Sequence, residues 1–214
     1  MGWKTEKDPE NKNWDVWWTD SAVQPEHLAK MNPYQKINHF PGMFALSRKN
    51  HLARNLKRLK REFPEYFKFF PPTWLLPAER SDFNAQFVDR KPKTFILKPE
   101  ASCQGRGIFL IQHAEEVPTN EHYVAQRYML RPHLIDGLKY DLRIYVLLAG
   151  IDPMRIFIHK EGLARFSTEP YVLPTKKNKE NMCVHLTNYA INKFNTNFQQ
   201  NQNLDQKDVG HKRS

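Results

Sequence analysis

The sequence predicts an α+β fold, and three observations carry that prediction. One strongly amphipathic helix stands out at 47–63. Five short segments rich in β-branched and aromatic residues fall between 93 and 160. Four of those five follow one another over short connections, without the regular alternation of strand and helix that builds a parallel sheet. Mixed or antiparallel sheets with flanking helices are therefore expected. With 214 residues, 40% of them hydrophobic and 13% aromatic, the chain is long enough to bury a core of that kind.

Taken in order, MGWKTEKDPENKNW lacks the apolar segment of a secretory signal. DVWWTDS (15–21) is an aromatic run closed by turn formers and predicts a strand. In ALSRKNHLARNLKRLKREFP, Ser47 is the expected N-cap. Leu52, Leu56, Leu59 and Phe63 recur at spacings of 4, 3 and 4 as one apolar stripe, and Pro64 stops the helix. The other face carries Arg48, Lys49, Arg54, Lys57, Arg58, Lys60 and Arg61. It is either a solvated face or a docking surface for an acidic partner. Proline-punctuated FFPPTWLLPAER (69–80) marks a boundary. Strands are expected in KTFILKP (93–99), GIFLI (107–111), HYVAQRYM (122–129), KYDLRIYVLLAG (139–150) and MRIFIHK (154–160). The tail QQNQNLDQKDVGHKRS after Phe198 is polar and is expected to be loop or disorder.

Lysine and arginine number 33 against 23 acidic residues, a net charge of +10. That surplus favours an anionic partner: nucleic acid, an anionic membrane or an acidic protein tail. No nucleic-acid-binding motif is present. No apolar run approaches the roughly 18–20 residues of a membrane span. Cys103 and Cys183 have no metal-ligand spacing and fit a reduced, cytosolic setting.

FILKPEASCQGRGIFLI (95–111) places a glycine loop between two strands. Gly105 and Gly107 permit backbone geometry that exposes N–H groups, and Lys98 and Arg106 put positive charge beside them. The loop is neither a Walker loop nor a GxGxxG helix opener, because GxxxxGK(S/T) is absent and a strand follows. It is either a hairpin with a basic tip or a cover for phosphate oxygens. In KYDLRIYVLL, side-chain alternation puts Tyr140, Leu142, Ile144, Val146 and Leu148 on one face, and Lys139, Asp141 and Arg143 on the other. The charged face is either solvated and stitched by its own ion pairs, or a floor beneath a polyphosphate. In the second case Arg143 and Lys139 neutralise oxygens while Asp141 orients a ribose hydroxyl or a basic neighbour. VAQRYM (124–129) offers a backbone edge that could read an adenine. His185 has no second ligand at metal spacing and reads as a packed histidine.

ILKPEASCQGRGIFLI, VAQRYMLRPHLIDGLKYDLRIYVLL, GLARFST and HLTNYAINK, in that order, resemble the tubulin–tyrosine-ligase-like family. NPYQKINHFPG and HLTNYAINK point to its polyglutamylase branch. The resemblance runs from about Trp14 to Phe198. It implies an ATP-grasp fold, with an N-terminal lobe at 1–77, a partial central and C-terminal lobe at 78–198, and a polar tail at 199–214. It implies ATP- and Mg2+-dependent addition of free L-glutamate to glutamate side chains in the acidic C-terminal tails of tubulin, through an acyl phosphate. Partners are then microtubules, with no nucleic acid or membrane, and the chain acts as a monomer. The expected location is the cytoplasm and the microtubule cytoskeleton, extending to the cilium or basal body.

By the same resemblance, Lys98 and Arg143 act on phosphate during catalysis. Gln104, Gly105, Arg106 and Gly107 form the loop over the phosphates, and Gln126, Arg127, Tyr128 and Met129 form the adenine edge. Lys139, Tyr140 and Asp141 make the nucleotide-contacting strand, with Thr187 and Asn188 nearby. Arg165, Tyr189 and Lys212 form the glutamate side. The sequence departs from the family in three respects. It is expected to be clipped at both ends, Ala190 stands where relatives may carry serine, and the magnesium ligands are expected outside this chain. The chain is accordingly expected to have little activity of its own, or to serve as a catalytically dead module that binds acidic tails.

Overall fold

The computed structural model describes residues 2–8, 11–21, 23–88, 92–119, 121–201 and 209–213. They fall into two compact units, Met1–Leu52 and Ala53–Ser214. The boundary expected near residue 77 lies inside the second unit.

In the first unit, β1 (Val16–Trp17) pairs in parallel with β2 (Lys36–Ile37) across the short helix α1 (Pro25–Ala29). Buried Gln35 fixes this arrangement by donating its side-chain amide to the carbonyls of Lys12 and Trp14, both at 2.8 Å. A four-residue helix, α2 (Phe44–Ser47), precedes the long helix α3 (Lys49–Glu62). Ser47 therefore closes α2 instead of capping α3. Extended Arg48 takes the capping position, and its carbonyl accepts from Leu52 N–H at 2.9 Å.

The second unit holds the sheets. β3 (Thr73–Leu76), α4 (Arg80–Ala85), β4 (Phe95–Pro99), β5 (Phe109–Ile111) and β6 (Tyr123–Arg127) come first. The four strands form an antiparallel sheet in the order β3-β6-β4-β5. Alternation gives this sheet two different faces. Phe95 and Leu97, with Trp74, Leu76, Ile111, Tyr123 and Ala125, point to a core closed by Phe83 of α4. The opposite face carries Ile96 and Leu110 under Tyr128 and Leu186, and Val124 against Ala53 and Phe70. The proline-flanked TWLL is thus a buried strand. The buried residue of α3 is Ala53, outside the expected stripe; Leu52, Leu56 and Leu59 are half-buried, and the stripe runs out at Phe63, which is 50% exposed.

The remaining elements are β7 (Leu134–Ile135), β8 (Leu138–Arg143), β9 (Val146–Ile151), β10 (Met154–Ile158), β11 (Leu163–Phe166), α5 (Met182–His185), α6 (Tyr189–Asn192) and β12 (Lys212–Arg213). A second antiparallel sheet has the order β12-β11-β8-β7. Two expectations change here. The run 139–150 is not one strand: it breaks at Ile144 and Tyr145 because β8 pairs with β11 while β9 turns away to pair with β10. The expected apolar face dissolves with it, and Leu142, Ile144 and Val146 are all more than half exposed. The polar tail, in its turn, is not loop throughout. Lys212 and Arg213 return as an edge strand opposite Arg165 and Ala164. Residues 202–208 and 214 of that tail lie outside the described residues.

Phe95, fully buried against Trp74, Phe83 and Phe87, anchors the first core. Phe95→Ala is expected to cost about 3–5 kcal/mol through lost transfer energy and a cavity, whereas Phe63→Ala, half in solvent, is expected to cost less than about 1 kcal/mol. Urea unfolding midpoints of the two variants check the contrast.

Candidate active site

The site grows from the second face of the first sheet. Lys98 lies opposite Val124, and Ile96 lies opposite Gln126, so Lys98 and Gln126 are diagonal neighbours on one face. The Lys98 ammonium donates to Gln126 Oε1 at 2.9 Å, and Gln126 Nε2 donates to Thr73 Oγ1 at 3.0 Å. Gln126 is therefore a brace for the lysine.

On β8, alternation places Lys139 and Asp141 on one face and Tyr140 on the other. Asp141 pairs in register with Arg165. Its two oxygens accept from Arg165 Nε at 2.7 Å and Nη2 at 2.8 Å, a bidentate fork, and Oδ2 also accepts from Thr187 Oγ1 at 2.7 Å. That bond raises the already high pKa of Arg165. Lys139 instead donates to Tyr128 Oη at 3.0 Å and to the His185 carbonyl at 2.8 Å, with its ammonium 4.4 Å from the Tyr128 ring centroid. Burial, and then the neighbouring charge of Lys98, push Lys139 down to about 8 against a weaker opposing pull from Asp141. Two ammonium groups so placed make a seat for an anion.

The glycine loop lies beside them. Gln104, Gly105 and Gly107 have φ of 59°, 86° and 66°, in the left-handed region that favours glycine. Buried Gly105 is packed so tightly that an added Cβ would stand 2.7 Å from Ile191 Cδ1 and 3.0 Å from Asn188 Cγ. Close packing on Asn188, which opens α6, is what demands glycine here. Arg106 is exposed.

A narrow recess is lined by Arg165, Thr187, Tyr189, Phe198, His211 and Lys212. The Lys212 ammonium sits 3.6 Å from the Tyr189 ring centroid. Phe198 stacks on His211 at 5.6 Å and meets Tyr189 at 5.7 Å. Phe198 and His211 escaped the sequence reading because they flank a polar run. Their one sequence signal is that an aromatic and a His-Lys pair bracket it.

A family model described as the tubulin-tyrosine ligase family matches residues 27–214. The chain belongs to the tubulin-tyrosine ligase family. It is 59% identical to a probable beta-tubulin polyglutamylase of Tetrahymena thermophila, over 99% of this chain and 18% of that protein. It is 52% identical to the tubulin polyglutamylase TTLL13 of Mus musculus, over 88% of this chain and 24% of the relative. With the tubulin polyglutamylase ttll6 of Danio rerio, identity is 48% over 95% of this chain and 26% of the relative. The chain thus spans about a fifth to a quarter of the length of these relatives.

Within this member of the tubulin-tyrosine ligase family, the expected site residues do not all converge. Lys98 bonds Gln126, and Asp141 bonds Arg165 and Thr187, while Lys139, bonded to Tyr128 and the His185 carbonyl, feels the charges of Lys98 and Asp141. Arg143 ends β8 and is exposed, without a bond joining its side chain to Lys139, Asp141 or Arg165 among the described contacts. Tyr140 stacks on Phe166 and bonds His133 Nδ1 at 3.1 Å, on the face away from Asp141. Arg127 lies over the Phe95 ring at 5.3 Å, and Met129 is exposed. Tyr128 is buried and turned to Lys139, so its ring does not line the surface of this segment. Among the described residues, no group of three or more His, Cys, Asp or Glu gathers in a way that could hold a metal. With both Asp141 oxygens engaged, these residues do not fit magnesium.

His185 is fully buried, and its pKa is pushed down to about 4, by burial first and by Lys139 second. The unfolded chain, with histidine near 6.5, takes up this proton first on acidification. Stability from this group is thus complete above about pH 6.5 and is lost as pH falls toward 4, by about 3 kcal/mol in total. Urea unfolding of the unmodified chain and of His185→Asn at pH 7 and 4.5 checks this: the unmodified chain is expected to lose more stability than the variant.

Proposed function

We propose that this chain forms the nucleotide- and glutamate-binding part of an ATP-grasp ligase that adds glutamate to glutamate side chains in the acidic C-terminal tails of tubulin. The observation that carries this reading is the pair Lys98 and Lys139, close enough for one to depress the other, beside a left-handed glycine loop and with Asp141 committed to Arg165. An anionic polyphosphate would relieve that repulsion. The names of relatives at 59% and 52% identity support the substrate class.

ATP, when bound, supplies the phosphoryl group that activates a carboxylate. This chain's residues bind and orient. Lys98 and Lys139 neutralise phosphate oxygens, and the loop at 104–107 offers backbone N–H groups. The edge at 126–129 meets the base through its backbone, with Thr187 and Asn188 beside the nucleotide. Arg165 and Lys212 attract the glutamate carboxylate against Tyr189. Magnesium ligands come from polypeptide other than the residues described here. The cationic surplus suits an acidic tail, and the protein would act as a monomer at microtubules, in the cytoplasm and at the cilium or basal body.

A second reading, a docking module for acidic tails, is favoured by Arg54, Arg58 and Arg61, which are exposed along one side of α3. Lys57 is drawn off to Glu79 at 2.5 Å, and Lys60 to the Phe70 carbonyl. The two readings separate by mutation. Lys98→Met is expected to weaken ATP binding about 10–100-fold, the worth of a charge-assisted hydrogen bond to phosphate, while leaving binding to an acidic tail peptide intact. Gly105→Ala is expected to weaken ATP binding in the same direction by displacing the loop. Calorimetric titration with ATP checks both, and an unchanged affinity in Lys98→Met would sink the nucleotide reading.

A further inference from the structure

The buried groups around Lys139 form a chain that the binding roles above do not use. Lys139 Nζ donates to Tyr128 Oη at 3.0 Å, and Tyr128 Oη lies 3.2 Å from His185 Nδ1. An ammonium has no lone pair, so the tyrosine oxygen must accept from Lys139 and send its own proton elsewhere. His185 is kept neutral by burial and by Lys139, so one ring nitrogen is available to take that proton. Tyr171 stands on the same ring at 6.1 Å and gives its own proton to the Leu130 carbonyl at 2.8 Å; its oxygen is a second, competing acceptor for the Tyr128 proton, and the bond of ordinary geometry is the one to His185. With Nδ1 accepting, Nε2 carries the ring proton. That atom is buried without a hydrogen-bond partner among the described residues.

We propose that Tyr128 and His185 are positioning residues for Lys139: the buried Lys139–Tyr128–His185 chain of hydrogen bonds aims the ammonium at the polyphosphate seat and sets the pH above which that seat releases its anion. This inference rests on the nucleotide reading. The groups facing Lys139 act in different directions. Lys98, from β4, repels its charge, and Asp141, on its own strand, attracts it but is held by Arg165. Tyr128, after β6, and the His185 carbonyl of α5 supply its acceptors. With the tyrosine proton turned toward His185, the oxygen lone pairs are presented to Lys139. Without an acceptor at position 185 the hydroxyl is left to the Tyr171 oxygen, its lone pairs turn from Lys139, and the ammonium loses part of its stabilisation. Because the free lysine titrates at about 8, phosphate binding falls as pH rises through that value. A phosphate that binds takes up a proton in the same range.

The test combines two measurements on the whole chain and on Tyr128→Phe, His185→Phe and His185→Asn. NMR of 13C-labelled lysine methylenes in the nucleotide-free chain reads the Lys139 midpoint directly. Calorimetry with ATP between pH 7.5 and 10 reads its effect on binding. Tyr128→Phe and His185→Phe are expected to lower the Lys139 midpoint by about half a pH unit and to weaken ATP about threefold at pH 8.5. His185→Asn, whose amide oxygen can stand in for Nδ1, is expected to restore both. Should His185→Phe fail to fold, Tyr128→Phe and the Asn variant still decide the matter. Midpoints that stay in place in the variants overturn the inference, however well ATP binds. Midpoints that move in a chain that binds no ATP at any pH overturn the nucleotide reading, and the aiming role with it.

Discussion

Asp141 is the carboxylate at the centre of the site, and two cations compete for it. Lys139 is two residues away on the same strand face, and Arg165 is directly opposite in the neighbouring strand. Register decides the contest. The guanidinium meets the carboxylate as a planar fork with both bonds under 3 Å, a geometry a single ammonium cannot match. Thr187 takes the remaining capacity of Oδ2. Lys139 is left to a phenol and a carbonyl, and burial, with Lys98 as the second cause, lowers its pKa to about 8.

That one ion pair also joins the two halves of the site. It ties β8, which carries Lys139, to β11, whose Arg165 lines the recess with Tyr189 and Lys212. Arg165 is thus both a clamp between strands and a wall of the recess. β12 completes the recess from far along the chain, and its Lys212 is held over an aromatic ring instead of by a carboxylate, which keeps its charge available. The supporting sheet is correspondingly rigid on its other side. Phe83, Phe95 and Leu97 are fully buried there, so Lys98 projects from a strand whose opposite face is close-packed.

The β9–β10 hairpin is built differently. It pairs only with itself, and Val146, Leu147, Ile156, Phe157 and Ile158 are all more than half exposed. A side-chain pattern that is apolar on both faces reads in sequence as an ordinary core strand, and this is the physical reason KYDLRIYVLLAG looked continuous. Residues 139–148 contain no glycine or proline to signal a break. The break lies where the two halves find different partners, and where Gly162 lets the chain pass so near the Arg143 carbonyl that a Cβ would stand 2.6 Å from it.

The sequence by itself determined the local structure and the family. Alternation in FILKP and YVAQR, the leucine spacing in α3 and the glycines of CQGRG are short-range patterns, and short-range sterics and burial suffice to read them. Parity alone put Lys139 and Asp141 on one face. Only the tertiary structure decided what those groups do there, because hydrogen-bond partners come from segments 11 to 46 residues away in the chain. Which cation wins Asp141, that Tyr128 faces inward to Lys139, that Arg143 stays in solvent, and that a polar tail returns to pair with β11 are all set by register between distant strands. No periodicity within one segment encodes such a register.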